Sequence, residues 1–67
     1  MSVFDIQVAN HGTIALARPL TQDAADWLRE SAPEEAQFLG ESLALEPRYV
    51  EGFADAAEES GYAVGYL

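Results

Sequence analysis

The chain has 67 residues, twelve of them acidic and three basic, giving a net charge of −9 and a pI near 4.1. Such a surface repels nucleic acid and anionic membranes, so direct binding to either is not expected. Cysteine is absent, which excludes disulfides and thiolate metal sites, and a chain this short supports one domain burying about 60% of its unfolded surface.

Residues 3–8 alternate, with Phe4, Ile6 and Val8 on one face and Asp5 and Gln7 on the other, the period-2 pattern of a half-buried strand. Asn10-His11-Gly12 is a turn signal. Alternation resumes over Thr13–Arg18, placing Ile14 and Leu16 inward, and Pro19 ends the strand because it cannot donate to a ladder. The first third therefore reads as a β-hairpin.

Thr21 is a good N-cap, and Asp23 sits in the first turn, where the helix dipole favours negative charge. Leu20 and Ala25 occupy the two staple positions around that cap. The helix runs to about Ser31, stopped by Ala32-Pro33. Its buried stripe is Ala24, Trp27 and Leu28. Pro33–Ala36 is a connector, and Gln37–Leu45 reads as one bent strand with Gly40 at the bend.

Glu46-Pro47 opens a second helix, proline taking the favoured first position. Tyr49, Val50, Phe53, Ala54 and Ala57 form its amphipathic stripe. Gly52 in mid-helix suggests close approach of the backbone to the sheet or to a partner. Ser60-Gly61 closes the helix, and Tyr62–Leu67 alternates as the last strand. The order is ββαβαβ: a single acidic α+β domain over residues 1–67, a four-stranded sheet with two helices packed on one face. Each β-α-β step is right-handed if its strands are parallel neighbours.

The catalytic vocabulary is nearly empty. His11 is the only histidine, and it falls in the predicted turn. No serine has a histidine partner in a recognisable motif. The ordered acidic loop of an EF-hand-type calcium site is missing, as are phosphate-cradling glycine loops. No catalytic residues, metal site or cofactor are expected, and the chain is not read as an enzyme.

The carboxylates are better organised. Asp23, Asp26 and Glu30 fall at i, i+3 and i+7; Glu51, Asp55, Glu58 and Glu59 fall at i, i+4, i+7 and i+8. Each set shares one helix face. Four helical residues rise about 6 Å, comparable with the spacing of phosphates along a strand. Two readings follow: a phosphate-like comb offered to a basic groove, or an ordinary solvated face kept for solubility. Tyr49, Tyr62 and Tyr66 belong to the core or, if exposed, serve as interface anchors.

The stretches Asn10-His11-Gly12-Thr13-Ile14, Pro33-Glu34-Glu35-Ala36-Gln37 and Leu45-Glu46-Pro47-Arg48-Tyr49-Val50 resemble a family of very short proteobacterial and phage-associated proteins. In size, acidity and lack of chemistry the chain is also similar to anti-CRISPR proteins, in particular the small inhibitors of type I-C systems. That resemblance implies a cytoplasmic protein of the bacterial host; monomer and homodimer both stay open, since an uncapped edge strand could pair two copies. It would bind the surveillance complex and block target DNA engagement, with no site carried over residue by residue. The expected partner-binding residues are Asp23, Asp26, Glu30, Glu51, Asp55, Glu58 and Glu59. The alternative is a small protein–protein interaction module that works through Trp27 or the tyrosines, its acids serving only solubility.

Overall fold

A computed structural model describes residues 3–32 and 36–67. Five strands and two helices alternate as β1 (Ile6–Asn10), β2 (Ala15–Pro19), α1 (Gln22–Ser31), β3 (Gln37–Leu39), β4 (Ser42–Leu45), α2 (Val50–Glu59) and β5 (Val64–Tyr66). The sheet order is β3-β4-β2-β1-β5. All neighbours are antiparallel except β1 and β5, which run parallel. The fold is α+β with a mixed sheet.

The expected four strands become five because Gln37–Leu45 is a hairpin, not a bent strand. Leu39 pairs with Ser42, leaving Gly40-Glu41 as a two-residue loop. Gly40 has φ +63° and no other residue type in the described chain takes positive φ. Positive φ at the first central position alone is the type II′ arrangement, whose twist suits a hairpin. The strands linked through each helix are not neighbours. β4 lies between β2 and β3, and both β2 and β1 lie between β4 and β5.

The first hairpin forms as expected around residues 11–14. Asn10 Oδ1 accepts from the Gly12 N–H at 2.9 Å, and the His11 N–H donates to the Ile14 carbonyl at 2.8 Å. Its facing is corrected at two places. Ala15 and Ala17, both fully buried, turn inward on β2, while Ile14 and Leu16 are half-buried. Small side chains there let α1 lie close to the sheet. Phe4 does not share a face with Ile6 and Val8. Its ring lies over Gly65, where a Cβ would come within 2.6 Å of it. Gly65 pairs with Gln7, which alternates with Ile6 and Val8, so Phe4 covers the face away from the helices.

The register puts Ile6, Val8, Ala15, Ala17, Leu43 and Val64 on one face of the sheet. They join Ala24 and Leu28 of α1 and Ala54 and Ala57 of α2 in a single core. Both helices therefore pack on the same face. Trp27 of α1 sits between the rings of Phe53 and Tyr62, with centroids 5.8 and 5.5 Å away. Ala25, read at a staple position and not in the stripe, is buried as well, and Trp27 is only half-buried.

Thr21 caps α1, its Oγ1 accepting from the Ala24 N–H at 3.1 Å. Thr21→Ala is expected to cost about 1 kcal/mol, read as a lower urea midpoint with an unchanged slope. The helix ends where Ala32 becomes extended; Pro33, Glu34 and Glu35 of the connector lie outside the described residues.

Pro47–Tyr49 is a 3-10 turn leading into α2, not its first turn. Tyr49 consequently leaves the apolar stripe and is 54% exposed. The far end of α2 follows the sequence reading. The Tyr62 N–H donates to the Ala57 carbonyl and the Gly61 N–H to the Glu58 carbonyl, a Schellman closure with Gly61 at φ +95°. Asp5 ties this end to β1. Its Oδ2 accepts from the Ala63 N–H at 2.9 Å, and its own N–H donates to the Ala63 carbonyl at 2.8 Å.

Candidate functional site

All seven expected partner-binding residues are exposed and stand on the two helices. The helices run in opposite directions. The Tyr62 hydroxyl, just past the end of α2, donates to the Asp23 carbonyl at the start of α1 at 3.3 Å. At the opposite end, Ser31 and Ala32 share a cleft with Tyr49 and Gly52. The two acidic rows are therefore antiparallel, Asp23–Asp26–Glu30 on one helix and Glu51–Asp55–Glu58–Glu59 on the other.

At 100° per residue, Asp23 and Glu30 are nearly in line on α1, with Asp26 about 60° round. Asp26 forms an ion pair with Arg29 and accepts from Gln22 Nε2 at 3.1 Å. Among the described residues the other six helical carboxylates make no ion pair. On α2, Phe53 meets Trp27, and Asp55 lies about half a turn away from it. The crest of α2 therefore carries Asp55 and Glu59, while Glu51 and Glu58 fall further from α1. Sequence spacing placed each row on one face; it did not show that the rows diverge.

Between α1 and α2, over β4 and toward the end away from Asp23 and Tyr62, runs a cleft of about 750 Å³ that the sequence reading missed; no helical carboxylate lines it. Trp27 and Leu28 form one wall, Gly52, Phe53 and Ala56 the other, and Leu43 and Leu45 of β4 underlie it. Tyr49 stands at its mouth. So does Arg48, whose Nε contacts Glu46 Oε2 at 2.9 Å and whose guanidinium lies 4.9 Å from the Tyr49 ring centroid. The one cation at the mouth is thus neutralised locally.

Gly52 does not approach the sheet. It is exposed, and a Cβ there would meet nothing within 4 Å. Alanine would stabilise that helix position by roughly 1 kcal/mol, so no internal packing accounts for the glycine. Of the tyrosines, Tyr62 packs beside Trp27, while Tyr49 and Tyr66 are 54% and 62% exposed.

The opposite face of the sheet contrasts with the helical side. Its strand positions, including Ala9, Leu16, Arg18, Ala44 and Leu39, carry no carboxylate. Seven of the twelve acids stand on the helices. His11 is exposed in the first hairpin loop. Among the described residues no three acidic or histidine side chains converge on a metal-sized site, and no helix is long and apolar enough to cross a membrane. Searches found no matching family model, curated protein or solved structure.

Proposed function

We propose that the protein is a non-enzymatic inhibitor that occupies the basic surface of a nucleic-acid-binding complex, keeping target DNA from engaging it. The observation that carries this reading is the one-sided display of carboxylates. Among the described residues, six exposed helical acids make no ion pair; they stand in two antiparallel rows on adjacent helices, and the strand positions of the far sheet face hold no carboxylate. Rows of like charge weaken a helix by a few tenths of a kcal/mol per pair. A surface selected for stability alone would intersperse lysines there. Clusters of arginine and lysine that hold phosphates pair equally well with such carboxylates.

The target class we favour is a type I CRISPR surveillance complex in the bacterial cytoplasm, in keeping with the resemblance to small type I-C inhibitors. The test is a gel shift of target double-stranded DNA on a purified type I-C complex, with and without this protein. Loss of the shifted band is expected. Direct binding of the protein to the complex should weaken steeply between roughly 50 and 200 mM salt. An unchanged band would clear that complex as the target. Affinity independent of salt would favour the interaction module in which the acids serve only solubility.

A further inference from the structure

We propose that the cleft between α1 and α2 receives an apolar side chain from a basic segment of the protein partner. Lysines or arginines flanking that side chain would reach Glu30 on α1 and Asp55 on α2, the helical carboxylates level with the cleft. The inference rests on the reading that the acidic rows face a basic partner, and it adds what a charge display does not need. An imitation of phosphate spacing requires no apolar groove. Yet Trp27 and Phe53 are left half-buried between the two helices, above Leu43 and Leu45 and beside exposed Tyr49. The volume of about 750 Å³ lies within the roughly 300–1,000 Å³ of pockets that bury a whole small ligand.

Charge selects the occupant. Glu46 and Arg48, the charged residues that line the cleft, cancel at its mouth, while the exposed helix crests beyond its walls carry Glu30 and Asp55. From the wall residue Trp27, Glu30 is three positions on and about 60° round α1; from Ala56, Asp55 is the preceding residue, about 100° round α2 toward solvent. An acidic segment would meet opposed carboxylates, and an apolar side chain flanked by cations would meet complementary ones. Gly52 then has a reason. It keeps the wall bare where any larger side chain would project into the cleft, although nothing in the free protein requires a glycine there.

The experiment uses the intact protein and two synthetic helical peptides of equal length and charge. One carries leucines at i, i+4 and i+7 between lysines; the other has serines in their place. Trp27, the only tryptophan, reports from the wall. The leucine peptide should bind at least tenfold more tightly and move the Trp27 emission to the blue. Gly52→Leu, which keeps every carboxylate, should remove that margin with an unchanged circular dichroism spectrum. Failure of the leucine peptide to bind, or its undiminished binding to the Gly52→Leu protein, would overturn the cleft. Equal, salt-sensitive binding of both peptides would overturn it too, while leaving the acidic reading intact. Salt-insensitive binding of the leucine peptide would instead overturn the acidic reading, and with it the charged crests.

Discussion

Changing Glu30 and Asp55 together to lysine is expected to stabilise the fold and to weaken binding to a basic partner. The two effects have one cause. Asp55 stands four residues from both Glu51 and Glu59, so two like-charge contacts become two favourable ones, each altering stability by a few tenths of a kcal/mol. Glu30 lies in the last turn of α1, four residues after Asp26, and a cation there complements the negative end of the helix dipole. The combined gain should be about 1–2 kcal/mol, a rise of roughly 5–10 °C in melting temperature for a domain of this size. Net charge would move from −9 to −5, each reversal shifting it by two. Affinity for the partner should fall about a hundredfold, at roughly 1.4 kcal/mol per factor of ten. Thermal denaturation and titration of the same preparation read both quantities. A stabilised variant that still binds at full strength would reduce the acids to a solubility device.

Much of the local structure is legible in the sequence because it depends on neighbouring residues. Thr21 caps α1, Ser60-Gly61 closes α2, and Asn10–Thr13 turns the first hairpin, each through contacts within a few positions. The β2 facing is not legible this way. Hydrophobicity ranks Ile14 and Leu16 above Ala15 and Ala17, but a helix lying close on the sheet requires the smaller pair beneath it. Gly40 illustrates a second limit. A glycine between two apolar runs fits a bulge or a tight turn equally well, and the pairing of Leu39 with Ser42 decides between them. The same division holds at the site. The acidic rows appear from spacing within single helices. The cleft does not, because Trp27, Leu45 and Phe53 come from three elements that only the tertiary packing brings together.

Leu28→Ala should be the most damaging single core substitution on the helical side, at about 2–5 kcal/mol. The core is unusually rich in alanine; among its fully buried members only Ile6 and Leu28 are large. Leu28, 1% exposed, belongs to the same core cluster as Ala17, Ala24 and Ala54. None of those alanines can extend to close a void. A domain of this length and without disulfides rarely has more than about 3–5 kcal/mol in total, so the variant should be largely unfolded at 37 °C. Ile6→Val, which removes one methyl group from the other large core side chain, should cost only about 1 kcal/mol. Urea denaturation followed by circular dichroism separates the two. Leu28 also borders the cleft, which supplies the contrary outcome. If Trp27 and Phe53 close over the missing side chain, the loss will stay near 1 kcal/mol and the cleft will shrink. Binding of the leucine peptide would then fall in a protein that remains folded, as with Gly52→Leu. A large loss of stability instead places Leu28 in the scaffold that holds the two acidic helices apart, and makes Gly52 and Ala56 the positions at which the cleft is altered without unfolding the chain.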